Sequence, residues 1–298
     1  MEGRYMQEFS REERLKRSVE RIARLSTIPD VLRRVLEVVE DERSSVSDLV
    51  KVIERDQALA AKIIAMANTA FYGGGRARNI PAAAVRLGFD MIRDLALSAS
   101  VFNISKNNGQ SHLRGLWQHS FDVATAAGII ARRTGLVRKE DAFLSGLVND
   151  IGRAILYQIF GYEYELVSAP GRAGLLEREE LSFGAPHPVV GAWFVERYRF
   201  PRDCILSVRF HHSTEVRLKG NNAYPIEMIV CLANLIASEG KEGFEADLIP
   251  PDDISSIAKA VNLDEEAMDE VREELKGLSS VIGEFYGESP GSPGKERG

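Results

Sequence analysis

Glu140-Asp141-Ala142-Phe143-Leu144-Ser145-Gly146-Leu147-Val148-Asn149-Asp150-Ile151-Gly152 is the stretch on which the fold turns. It lies within an apolar run, residues 141 to 160, whose apolar side chains recur at helical spacing. Similar apolar helical runs stand on either side, at residues 116 to 133, 188 to 198, 204 to 212, 225 to 238, 254 to 261 and 265 to 285. Almost no window alternates apolar and polar residues as a half-buried strand would. The pattern predicts an all-α fold.

Upstream the same periodicity continues. Leu15, Val19, Ile22 and Leu25 form one stripe, and Val31, Leu32, Val35, Leu36, Val38 and Val39 build a second helix after Ile28-Pro29-Asp30. Ser47 is a candidate cap for a third helix through Leu49, Val52 and Ile53. Residues 58 to 70 form a further helix that meets Gly73-Gly74-Gly75, where positive φ is accessible. The pattern restarts at Ile80-Pro81 and runs to Val101, and the polar segment 105 to 111 marks a seam between two helical halves. The last residues, 288 to 298, carry Ser289-Pro290-Gly291-Ser292-Pro293-Gly294 and are expected to be a disordered tail.

Composition excludes several classes. The 298 residues are 44% hydrophobic and 28% charged, as in ordinary water-soluble chains. The 44 acidic and 38 basic side chains give a net charge of −6, so nothing draws the chain as a whole to nucleic acid or to an anionic membrane. Residues 1 to 24 are charged and amphipathic, without the apolar segment of a signal peptide or membrane span, and the expected location is cytoplasmic. Cys204 and Cys231 each sit in an apolar run and read as small buried hydrophobes.

Four of the five histidines, His119, His187, His211 and His212, fall within or beside apolar helices of the second half. With Asp150 they supply imidazole and carboxylate donors, a set that suits divalent iron, manganese, nickel or zinc. The competing reading is a buried polar network in which these side chains pair with one another or with Asn149 and no metal is held.

The order of short motifs then becomes informative. Leu116-Trp117-Gln118-His119-Ser120 and the stretch 140 to 152 resemble the paired landmarks of the HD phosphohydrolase superfamily, followed by Phe183-Gly184-Ala185-Pro186-His187-Pro188-Val189-Val190-Gly191-Ala192, Phe200-Pro201 and His211-His212. Upstream, Leu25-Ser26-Thr27-Ile28-Pro29, Arg55-Asp56-Gln57-Ala58-Leu59, Ala67-Asn68-Thr69-Ala70-Phe71-Tyr72-Gly73 and Val85-Arg86-Leu87-Gly88 resemble the half peculiar to the HDOD family. The resemblance covers roughly residues 20 to 217. It implies an HD-domain-like helical bundle with an additional N-terminal helical subdomain. On this reading residues 1 to 19 are a helical extension, 20 to 105 and 112 to 217 the two halves of the domain, and 218 to 287 C-terminal helices packed on the second half.

The resemblance also implies a metal set of His119, Asp150, His187, His211 and His212, but two departures reduce it. Asn149 stands where the phosphohydrolases carry the histidine of the His-Asp doublet, and Asn234 where they carry a final aspartate. An amide oxygen is a weaker donor than imidazole nitrogen or carboxylate. Asn68, Asn149 and Asn234 are instead candidate residues of a ligand or partner pocket. Ala223-Tyr224-Pro225 is similar in outline to the Gly-Tyr-Pro loop of the cyclic-dinucleotide hydrolases, but Pro225 leads directly into an apolar helix and suits its first position. Gln57 and Thr69 depart mildly from the HDOD pattern, where proline and serine are typical.

These features point to a bacterial signal-transduction module of the HDOD type, non-catalytic, working through protein or small-ligand binding. Its partners would be signalling proteins supplied in trans, with a nucleotide-like small ligand as a further candidate and nucleic acid not expected. The alternative is a metal-dependent phosphohydrolase or phosphodiesterase acting on nucleotides or cyclic dinucleotides. One divalent transition metal is the candidate cofactor in either case.

Overall fold

The computed structural model describes residues 9–22, 30–68, 72, 77–101, 111–169, 174–212, 224–240 and 251–285. Among them every regular element is a helix, as the periodicity predicts. Several expectations fall outside these residues: Gly73-Gly74-Gly75, Thr69, nearly all of the seam at 105 to 111, the first eight residues of the extension, and the tail 288 to 298.

The first helices follow local rules. α1 (Arg11–Glu20) starts with a reciprocal cap: Glu13 N donates to Ser10 Oγ at 3.1 Å, and Ser10 N donates to the Glu13 carboxylate at 2.7 Å. It buries Leu15 and Val19. α2 (Asp30–Glu40) buries Val31, Leu32, Val35 and Leu36. α3 (Val46–Glu54) begins after Ser45, whose amide and hydroxyl both donate to Asp48 at 3.1 and 2.7 Å. Ser47 therefore lies inside the first turn, because only Ser45 has an acidic residue three positions ahead to complete the cap.

Asp56 caps α4 (Gln57–Ala67) by accepting from Leu59 N at 2.8 Å. Asn79 caps α5 (Ile80–Leu87), and α6 (Phe89–Val101) follows without a linker. The break within the run 80 to 101 is Gly88, whose φ of +79° is a conformation that side chains resist.

The second group comprises α7 (Ser111–Thr134), α8 (Lys139–Val148), α9 (Ile151–Phe160), α10 (Tyr162–Val167), α11 (Leu175–Phe183), α12 (His187–Arg197), α13 (Arg202–Phe210), α14 (Pro225–Ser238), α15 (Pro251–Ala260) and α16 (Glu265–Phe285). The apolar run 141 to 160 is thus two helices, broken at Asn149-Asp150. Pro225 takes the first position of α14, where its missing N–H costs nothing. The periodicity reading passed over α10 and α11, because their charged sequences, YEYELV and LLEREELSF, show little apolar patterning.

α7 packs along α8, α14 and α16, α12 packs on α9 and α13, and α6 touches both α8 and α9. Nearly all buried apolar side chains among the described residues form one connected core that runs from Leu15 to Leu275, with Ala67, Ala77 and Ala83 in a small separate cluster. α16 is also held to α7 by ion pairs of Arg132 with Glu274 and Arg133 with Glu270. Both cysteines are buried, and neither is in a disulfide.

The closest helix approach in this region is between α9 and α12. A methyl group on Gly152 would lie 1.9 Å from the carbonyl oxygen of His187, and one on Gly191 would lie 3.0 Å from Gly152 N. Backbone therefore packs on backbone here. That contact brings Asp150, at the start of α9, beside His187, at the start of α12.

Candidate metal centre

Three segments deliver four donors to one point. Asp150 occupies the break between α8 and α9, His187 opens α12, and His211 and His212 follow α13. Their ligand atoms all lie within 4.8 Å of one another. Asp150 Oδ1 is 3.2 Å from His187 Nε2 and 3.5 Å from His211 Nε2, and His187 Nε2 is 3.2 Å from His212 Nε2. Two ligands bound at about 2.1 Å to one ion stand roughly 3.0–3.4 Å apart at coordination angles of about 90–110°. Two of these three separations fall within that range and the third lies just beyond it, so a small inward shift of the side chains would close one coordination shell.

The nitrogens facing away are fixed by acceptors. His187 Nδ1 lies 2.8 Å from Glu179 Oε2, and His211 Nδ1 lies 2.8 Å from the carbonyl oxygen of Val208. Carboxylates and carbonyls only accept, so both Nδ1 atoms donate and both Nε2 atoms turn to the centre. Glu179 accepts twice more, from His187 N at 2.7 Å and from the Tyr164 hydroxyl at 2.8 Å. Arg153 Nη1 stands 3.6 Å from Asp150 Oδ2.

Electrostatics follow from burial and neighbours. Burial opposes charge on His187, but Glu179 and Asp150 outweigh it and raise its pKa to about 9. Burial likewise opposes ionisation of Asp150, yet the close His187 and His211 rings and the Arg153 charge hold its carboxyl well below the usual range. Burial, then the His211 and His187 rings, pushes His212 far below an ordinary histidine. Asp150 Oδ1, His211 Nε2 and both amide atoms of Asn149 are buried without a hydrogen-bond partner. Donor atoms that converge in a buried space call for positive charge, which a proton on His187 supplies in the metal-free protein, and three imidazoles with a carboxylate suit a divalent transition ion in its place. The residues fit such an ion.

His119 stands beside this set. It approaches Asp150 Oδ2 at 3.7 Å, while its Nε2 lies 2.8 Å from Asn234 Oδ1 on α14. Asn149 adjoins Asp150 and is fully buried. Asn68, in contrast, belongs to the first group of helices, where its amide donates to Ala77 O at 3.0 Å and accepts from Ala77 N at 2.6 Å. Sequence reasoning missed Glu179, Tyr164 and Arg153. The only available signal was Glu179 at eight residues before His187, and it was masked by Glu177 and Glu180 alongside.

The HDOD domain family matches residues 25–214 of this chain. The chain belongs to the HDOD family. Its fold is shared with an HDOD domain protein of unknown function from Geobacter sulfurreducens, at TM-score 0.59 and 21% identity over 91% of this chain and 97% of the other. A crystal structure from Shewanella amazonensis, named as a candidate phosphohydrolase, aligns at TM-score 0.60 and 22% identity over 91% and 97% of the two chains. The response regulator MmoQ from Methylococcus capsulatus aligns at TM-score 0.51 and 23% identity over 84% and 99%.

A Treponema pallidum protein named only as uncharacterized is 23% identical over 198 residues, 64% of this chain and 38% of its own length. A ribonuclease Y from Oleidesulfovibrio alaskensis is 26% identical over 151 residues, 51% of this chain and 24% of its own. The HDOD chain thus spans well under half the length of the curated relatives it matches. No helix among its described residues is long and apolar enough to cross a membrane.

Proposed function

We propose that this HDOD chain is a bacterial signalling module that holds one divalent transition metal as a structural or regulatory ion and does not turn over substrate. The observation that carries the reading is the pairing of His119 with Asn234. It engages the ring nitrogen that faces Asp150 and leaves four donors, Asp150, His187, His211 and His212, enough for one ion. Asn149, beside them, contributes an amide where an imidazole would supply a strong fifth donor. Without a second cation there is no symmetric clamp on attacking and leaving oxygens of a phosphoryl group.

On this reading residues 20 to 105 and 112 to 217 act as two halves of one cytoplasmic relay. Surfaces of the relay receive signalling proteins in trans, and Asn149 and Asn234 border a pocket for a small nucleotide-like ligand. The name of one structural relative, the response regulator MmoQ, agrees with this class. The test is metal analysis of untagged protein purified without chelator, coupled to hydrolysis assays on cyclic dinucleotides and nucleoside phosphates with added manganese or iron. One ion per chain and no turnover is the expected result. Turnover that disappears in Asp150→Ala would establish the phosphohydrolase reading instead.

A further inference from the structure

We infer that Glu179 is the positioning residue of this centre, selecting which nitrogen of His187 faces the ion and adding negative charge behind it. The inference rests on the metal reading above. Glu179 is wholly buried. Its Oε2 accepts from both the ring Nδ1 and the backbone N of His187, at 2.8 and 2.7 Å. Its Oε1 accepts from the Tyr164 hydroxyl at 2.8 Å.

This set of bonds does three things at once. The Nδ1 bond fixes the imidazole so that Nε2 faces Asp150 and His212, where an ion that displaces the Nε2 proton would meet its lone pair. The backbone bond supplies an acceptor at the start of α12, where Pro186 offers no side-chain cap. The Tyr164 bond locks the carboxylate rotamer from α10, so the ring has little freedom left. A carboxylate behind a ligating imidazole also increases the basicity of that ligand. α11, which carries Glu179, is anchored in turn: Arg11 of α1 donates to Leu181 O at 2.8 Å.

The experiment compares wild type, Glu179→Gln and Glu179→Leu by three measurements. Cobalt(II) affinity is read by chelator competition, the His187 tautomer by long-range proton–nitrogen spectra of metal-free protein at a pH above about 9, where the ring is neutral, and folding by thermal midpoint. Glutamine keeps an acceptor for Nδ1 and removes the charge, so Nδ1 should stay protonated while cobalt affinity falls roughly 10-fold. Leucine removes both, and the affinity should fall roughly 100-fold with the proton spread over both nitrogens.

A purely structural role would lower the midpoint while leaving the tautomer and the cobalt affinity as in wild type, and that result overturns the inference. Unchanged affinity in Glu179→Gln with wild-type cobalt binding also overturns it, and this variant decides alone if Glu179→Leu does not fold. Failure of wild type itself to bind cobalt would sink the metal reading. The nitrogen spectra of the metal-free proteins would then still decide whether Glu179 orients His187.

Discussion

His119 Nε2 lies 2.8 Å from the amide oxygen of Asn234, and because that oxygen only accepts, the imidazole donates to it. The nitrogen that faces Asp150 therefore carries a hydrogen and has no lone pair for a metal. Asn234→Asp places an anion there, and should tighten cobalt or manganese binding by roughly 10-fold, about 1.4 kcal/mol, in chelator competition. Asn149→His combined with Asn234→Asp restores both departures from the phosphohydrolase pattern. Hydrolysis should appear, if anywhere in the series, only in this double variant.

The pH dependence of the metal-free protein has a defined sign. His187 is raised to about 9 from an unfolded value of 6.5, so its stabilising contribution is complete below 6.5 and is lost as pH rises through 9. Between pH 7 and 8 the expected loss is about 1 kcal/mol. Above pH 8 it is offset by Lys62, whose pKa burial lowers to about 8, so that its neutral form gains relative to the unfolded chain. Urea unfolding with chelator present at pH 7 and pH 8 measures the difference, and a rise in stability over that interval would contradict the pairing of His187 with Glu179 and Asp150.

Two glycine substitutions should act in opposite directions. Gly152→Ala drives a methyl to within 1.9 Å of the His187 carbonyl and should cost at least about 2 kcal/mol, since backbone must move to make room. Gly277→Ala, exposed in α16 with open space around it, should gain roughly 0.5–1 kcal/mol from helix propensity. Thermal unfolding of the two variants beside wild type checks both.

Asn68 pairs with both backbone groups of Ala77, as one residue of a β-ladder would. Asn68→Ala should destabilise by about 1–3 kcal/mol by leaving those groups without their partners. Asn68→Asp keeps the acceptor and loses the donor, and should fall between the two in denaturant unfolding. An Asn68→Ala variant of wild-type stability would return Asn68 to the role of a ligand-contact residue.

Much of the fold was legible because helical periodicity survives wherever a helix buries one face, as α1 and α2 do with Leu15, Val19, Leu32 and Leu36. Motif order also gave the positions of Asp150, His187, His211 and His212, which the fold brings together. α10 and α11 were not legible, since a short helix rich in charge has no apolar stripe to reveal it. Glu179 was hidden for a related reason: among Glu177, Glu179 and Glu180, only tertiary packing decides which carboxylate turns inward. The break at Asn149-Asp150 escaped notice because both flanking helices are apolar on most faces, so no change of period marks the joint.

The core that connects Leu15 to Leu275 ties the persistence of the described helices packed on it to the state of one buried cluster. An ion held only by the folded chain, at a free concentration a hundred times its dissociation constant, adds about 2.7 kcal/mol against global unfolding. A connected core spreads that increment to α2 and α3 as well as to the helices that supply the donors. Resistance to proteolysis across the N-terminal helices would then record whether an ion sits beside Asp150, and the chain's lifetime would carry that information without any change of shape.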